Sequence, residues 1–217
     1  MKFALKRHDN SIESIALHTL SVMGYVDVKY YIRFKDIPKD YIAVGNCEWC
    51  LGALGKEIVP DYYPEFTKEY LYRNVWKTNE YPLGKKVFIK PADSHKRFNG
   101  YVTNGGYRHK KRGPYWCSDV VSFVNEWRYY VSNGEILCGE WYMGDEINTP
   151  KAPPLNINIP DGWCGTLDFG TLKTGELALV EAHEPFACGW YGKGIKQHIL
   201  YAKWLDDGWE YLKGNNE

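Results

Sequence analysis

Lys90 stands at the end of the apolar run Val87-Phe88-Ile89 and is followed by Pro91. A lysine leaving a buried strand has its stem fixed and its ammonium delivered to one point, as phosphate binding requires. A solvated strand end would read the same way. Lys96 follows within Ser94-His95-Lys96-Arg97-Phe98-Asn99-Gly100, where Gly100, Gly105 and Gly106 would let a backbone approach phosphates closely. An ordinary hairpin tip has a similar composition. In Glu126-Trp127-Arg128-Tyr129-Tyr130-Val131, the two-residue period of a strand puts Glu126 and Arg128 on one face and rings on the other. Such a strand suits the floor of a polar cleft, and Arg128 can grip a phosphate or carboxylate with two donors; a surface ion pair between strands is the plainer alternative. Asp168 and Glu181 fall on the two strands of an expected hairpin, each after an apolar residue (Leu167, Val180). Two carboxylates converging in a partly buried place repel unless a cation lies between them, and Mg²⁺ is the usual solution beside phosphate. His183 shares the face of Glu181 if the strand continues that far. It is then a further ligand, a hydrogen-bond partner or a structural histidine.

Elements able to position these groups are legible along the chain. Ser11 to Met23 reads as a capped helix with Ile12, Ile15, Ala16, Thr19, Leu20 and Met23 on its apolar face and Gly24 as its stop. Strands are expected at Val26–Phe34 and Tyr41–Val44, with a short helical stretch through Leu51 and Leu54; this alternation predicts a small α/β lobe. Pro64 to Trp76 reads as a helix, and residues 79–84 as a linker. Beyond it, strands are expected at Val87–Ile89, Val120–Phe123 and Trp127–Val131. The Ser132-Asn133-Gly134-Glu135 turn leads into Ile136–Tyr142. A proline-rich loop, 149–160, precedes strands at Gly165–Phe169 and Leu177–Glu181 and a last helix from about Gly194 to Leu212.

The 217 residues are enough for one sizeable core or two lobes sharing a cleft. Lys+Arg and Asp+Glu are both 27, which excludes a generally basic nucleic-acid coat and an acidic solvating chain. An aromatic share of 16%, with 9 Trp and 18 Tyr, implies a dense core, a ring-lined cleft, or both. No apolar run suits an export signal or a membrane span. The six cysteines are scattered, so reduced thiols in a cytoplasm are expected. Cys47-Glu48-Trp49-Cys50 lacks a second ligand pair for zinc and reads first as a buried thiol pair.

The order of motifs, strand-Lys90-Pro91, the Lys96 glycine-bearing loop, Glu126-x-Arg128, Asp168-Phe169-Gly170 and Val180-Glu181, resembles the ATP-grasp superfamily. It looks most like the small, largely viral and bacterial clade named for one conserved arginine and two lysines, here Arg128, Lys90 and Lys96. The resemblance runs from about Val87 to Tyr191 and implies an α+β, ATP-grasp fold. A small α/β lobe (1–82) would precede an ATP-grasp domain (83–217) in which two β-rich lobes clasp a nucleotide. It further implies that Lys90 and Lys96 neutralise the phosphates of ATP, with Arg128 steadying the terminal phosphate or an acyl-phosphate. Adenine would lie near Val121-Ser122-Phe123-Val124, with Glu126 beside the nucleotide. Asp168, Glu181 and His183 would serve Mg²⁺. One departure is that Glu181-Ala182-His183 stands where the family usually has Glu-x-Asn, and imidazole is a poorer Mg²⁺ ligand than an amide oxygen. The activity implied is ligation of a carboxylate to an amine or thiol on an amino acid, peptide or protein, in a cytoplasm (a host's, if the source is a bacteriophage). Two other readings stay open: a nucleic-acid-binding module using the basic and aromatic stretch 107–116, and a nucleotide-binding protein without catalysis.

Overall fold

In the computed structural model, which describes residues 1–93, 97–106 and 113–214, the chain opens with a strand that polar flanks conceal in the sequence. β1 (Lys2–Lys6) buries Phe3, Ala4 and Leu5 completely between two exposed lysines. It is the centre of a parallel sheet, with β2 (Asp27–Tyr31) on one side and β3 (Ile42–Val44) on the other. α1 (Ile12–Val22) crosses between β1 and β2, and the Ser11 hydroxyl accepts from the Ser14 amide at 3.2 Å as its cap. Its buried face differs from the expected one. Ser14, Ala16, Leu17 and Leu20 point inward, whereas Ile12, Ile15 and Met23 are more than half exposed. Polar contacts turn the helix: Glu13 accepts from the Trp190 amide at 2.7 Å, and Asp9 accepts from the Ser11 and Ser14 hydroxyls. α2 (Cys47–Leu54) is capped by Asn46 and ends at Gly55, and the Cys50 thiol is packed in the core against the Ala43 carbonyl.

The helix expected over Pro64–Trp76 is instead a 3₁₀ turn at Glu65–Tyr70, followed by strand β4 (Val75–Thr78). Tyr72 takes a left-handed conformation (φ 46°) that stops the turn, and the β-branched ends of Val-Trp-Lys-Thr find a partner strand. β4 belongs to an antiparallel sheet in the order β4-β7-β5-β6, with β5 (Val87–Pro91), β6 (Tyr101–Thr103) and β7 (Tyr115–Ser118). No strand occupies Val120–Val121; β8 begins at Phe123 and runs to Ser132. A two-residue turn, with Asn133 and Gly134 both at positive φ (50° and 82°), joins it to β9 (Glu135–Met143). β10 (Gly165–Leu172) and β11 (Leu177–His183) complete a second antiparallel sheet, β11-β10-β8-β9. α3 (Ile195–Gly214) closes the chain.

The two faces of the larger sheet have different partners. Trp127, Tyr129, Val131, Leu167, Phe169 and Leu179 are buried under Phe66, Tyr70 and the proline-rich stretch, which acts as a strap. Trp127 Nε1 and the Tyr129 hydroxyl donate to the carbonyls of Pro150 and Pro153 at 2.8 and 2.6 Å. On the opposite face, Tyr130 packs into an aromatic cluster with Trp190, Tyr201 and Trp204, which joins α3 to the N-terminal sheet. The high ring content therefore fills a core shared by both ends of the chain. No described helix is long and apolar enough to cross a membrane.

Arg73 seals one edge of this sheet. Its guanidinium donates to the carbonyls of Leu179 and Val180 at 2.6 and 2.9 Å, so β11 offers that stretch of edge to no other chain. Replacing Arg73 with Ala strands both acceptors. The expected cost is roughly 1.5–3 kcal/mol, read as a lower urea midpoint at unchanged slope.

Candidate active site

The face of the larger sheet that carries Tyr130 also carries one row of charges in register. Glu181 pairs with Asp168, Asp168 with Arg128, and Arg128 with Glu140, so the row crosses all four strands. Residues directly opposite in antiparallel strands share a face. This is why side chains 53 residues apart in the sequence, Arg128 and Glu181, arrive on one line. The glycine of Asp168-Phe169-Gly170 has a local reason: a Cβ there would lie 2.5 Å from Cδ1 of Phe123. That ring, from the first residue of β8, lies over Gly170 of β10.

Arg128 is buried and grips Asp168 with both arms, Nε to Oδ1 at 2.8 Å and Nη2 to Oδ2 at 2.7 Å. Burial opposes its charge, but Asp168 outweighs that and holds the guanidinium proton more tightly than usual. Its Cζ lies over the rings of Tyr142 and Tyr191, 5.6 and 5.5 Å from their centroids, and the two rings stack on each other at 5.2 Å. The Tyr142 hydroxyl donates to Glu126. Burial raises the Glu126 carboxyl above its ordinary range; the hydrogen bond from Tyr142 works the other way.

Lys90 reaches across from β5 of the other sheet and donates to Glu181 Oε2. His183, at the end of the same strand as Glu181 and on the same face, places Nε2 2.5 Å from Glu181 Oε1. Burial pushes the Glu181 carboxyl up, yet Lys90 and His183 overcome it and hold the group well below the usual carboxylate range. Oxygen and nitrogen atoms of Asp168, Glu181 and His183 all lie within 4.8 Å of one another. Two carboxylates at that spacing have the charge and the hard oxygen donors that suit Mg²⁺. His183, already bonded to Glu181, is placed to orient that carboxylate.

Beside this cluster a cavity of about 220 Å³ opens between the sheets. Phe88, Val102 and Ser118 line it from one sheet and Val180, Glu181 and Glu126 from the other. Val121 and Phe123 line it too, whereas Ser122 and Val124 are exposed and stand outside its wall. Lys96 and the basic run 108–112 lie outside the described residues.

The structure thus brings together Lys90, Glu126, Arg128, Asp168, Glu181 and His183, with Val121 and Phe123 adjacent. The rings that hold the cations carry no motif in the sequence: Tyr62 and Tyr63 at Lys90, and Tyr142 and Tyr191 at Arg128. Their signal was compositional, an aromatic excess, and composition does not say which ring faces a charge.

Comparison with known proteins places the fold in a family. The sequence model of the ATP-grasp domain, R2K clade family 2, matches residues 70–199. A RimK domain ATP-grasp protein from Sphaerobacter thermophilus superposes with a TM-score of 0.52 at 11% identity, over 94% of this chain and 99% of the other. A RiPP-associated ATP-grasp ligase from Chryseobacterium gregarium, solved with ADP and a leader and core peptide, gives 0.50 at 9% identity, over 95% and 96%. At such identities the likeness is one of fold. No curated protein matches the sequence. With a family match spanning more than half its length, on the strands that carry the charged row, the chain belongs to the ATP-grasp proteins of the R2K clade, family 2.

Proposed function

We propose that this protein is an ATP- and Mg²⁺-dependent ligase that joins a carboxylate to an amine or thiol through an acyl-phosphate, with a peptide or protein as substrate. The observation that carries the reading is the meeting of two cations from different sheets, Lys90 and Arg128, with two carboxylates, Asp168 and Glu181. Phosphoryl transfer asks for charge neutralisation and positioning rather than a side-chain nucleophile, and this is such a set.

In this reading the adenine enters the cavity lined by Val121 and Phe123, and its phosphates extend toward Lys90, with the charge of Lys96 as a second neutralising group. Asp168 and Glu181 would hold Mg²⁺, which when bound neutralises phosphate charge; His183 orients Glu181. A substrate carboxylate oxygen attacks the γ-phosphorus as the bond to ADP breaks, and Arg128 steadies the acyl-phosphate. An amine then displaces phosphate from the acyl carbon and loses a proton. The preference for a peptide follows the Chryseobacterium gregarium enzyme, which holds ADP together with leader and core peptide.

ADP release screened against pools of amino acids and peptides, with mass spectrometry of the product, tests the reaction. No ADP above background with any pool, at saturating Mg²⁺ and ATP, would overturn it. The nucleotide grip has its own check. Lys90→Ala should weaken ATP about ten- to a hundredfold, the worth of a charge-assisted hydrogen bond, and leave adenosine nearly unchanged. Equal losses for ATP and adenosine would make Lys90 a structural lysine.

A further inference from the structure

Lys90 is almost wholly buried, and its ammonium has a second support besides Glu181. It sits 3.2 Å from the centroid of the Tyr62 ring, with Tyr63 at 5.2 Å. Tyr62 precedes the residues matched by the family model. Its backbone carbonyl accepts from the Ala182 amide at 2.9 Å, between Glu181 and His183 on β11. The neighbouring Asp61 amide donates to Glu184 at 2.9 Å. The His183 ring meets the Tyr62 ring edge-on, at 5.5 Å and 88°. A buried ring pinned by two backbone contacts is thus a fixed shelf under the ammonium.

We propose that Tyr62 is a positioning residue for Lys90, one that keeps the ammonium compensated and in place while Glu181 serves a cation. The proposal rests on the assignment of Lys90 to phosphate and Glu181 to Mg²⁺. A carboxylate drawn toward a divalent ion gives up part of its hold on the lysine. A buried ammonium that loses its counter-ion is costly and would turn away or draw in water. The face of an aromatic ring attracts a desolvated cation without taking a formal charge, and no metal competes for it. Tyr62 therefore supplies the share of compensation that survives when Glu181 changes partner. Its hydroxyl has no part in this, so phenylalanine should serve as well.

The test is calorimetric binding of MgATP and of adenosine to Tyr62→Leu and Tyr62→Phe, with urea midpoints for each. Tyr62→Leu is expected to weaken MgATP about tenfold and adenosine by less than about twofold, and Tyr62→Phe to match wild type. Where Leu lowers the urea midpoint, Tyr62→Met, unbranched and flexible, replaces it. Equal losses for MgATP and adenosine, no loss for either, or a Phe variant as weak as Leu would each overturn the proposal. Lys90→Ala separates the two layers. If it weakens MgATP and Tyr62→Leu does not, the shelf alone falls; if Lys90→Ala has no effect, the phosphate assignment falls and takes the shelf with it.

Discussion

Glu181→Gln should abolish Mg²⁺-dependent ATP turnover in a protein that still folds, whereas Asp168→Asn should lose turnover and stability together. The difference lies in what each cation asks of its carboxylate. Lys90 takes one oxygen of Glu181, and His183 Nε2 faces the other. A glutamine can turn its carbonyl to Lys90 and its amide N–H to His183 Nε2 in the tautomer that carries its proton on Nδ1, so both contacts can be kept. Arg128 instead presents two parallel donors to both oxygens of Asp168. An asparagine answers with one acceptor and one donor, setting N–H against N–H beside a buried guanidinium. Breaking such a buried pair costs roughly 3–5 kcal/mol. For Glu181→Gln the fall in turnover should be about a thousandfold, the several kcal/mol of charge stabilisation that a well-held divalent ion supplies. ADP release and urea midpoints, measured on both variants and wild type, decide the matter. A folded Glu181→Gln protein with normal turnover would sink the assignment of Glu181 to metal.

The same contrast explains how much of the site could be read from the sequence. Charged residues at strand spacing were legible because strand geometry is local: Glu126 with Arg128, and Glu181 with His183, share a face by the two-residue period alone. The pairing of Asp168 with Glu181 was legible because a short turn at 173–175 fixes which strands meet. The partner choice was not. That Lys90 bonds Glu181 and Arg128 grips Asp168 depends on how one sheet sits over another, which no local rule sets. The fold shows the same division. α1 follows from its Ser11 cap, though not its buried face, α3 from its period, and the β8–β9 hairpin from Asn-Gly chemistry. β1, β6 and β7 did not, being three to five residues long and relying on neighbours for their strand character. β4 falls within the stretch read as the N-terminal lobe, yet it is hydrogen-bonded to β7 of the smaller antiparallel sheet. Its preceding 3₁₀ turn resembles a helix in composition, and the left-handed Tyr72 that ends it carries no sequence mark.

Removing Lys90 should make a divalent cation bind more tightly in the absence of nucleotide, even as it weakens ATP. This follows from the cross-pairing of the charges, in which the groups assigned to phosphate neutralise the groups assigned to metal. Lys90 occupies Glu181, and Arg128 occupies Asp168. Either ligand alone must break an ion pair and leave one member buried without its counter-ion. Both together exchange partners: phosphate takes the cation as metal takes the carboxylate. The two bindings are therefore positively coupled through the protein, by an amount typically worth about 1–3 kcal/mol. Mg²⁺ also binds ATP in free solution, so the protein's share is exposed by a variant rather than by adding or omitting metal. In Lys90→Ala, Glu181 keeps His183 but has no ammonium to surrender, and its charge is open to a cation. Mn²⁺ serves as the probe, with free ion followed by its electron paramagnetic resonance signal without nucleotide. Its affinity should rise about tenfold in Lys90→Ala relative to wild type and vanish again in the Lys90→Ala, Glu181→Gln double variant. Unchanged or weakened Mn²⁺ binding in Lys90→Ala would mean that the lysine does not hold the carboxylate against metal. The two ion pairs would then be a structural feature of the cleft rather than partners exchanged when phosphate and metal bind.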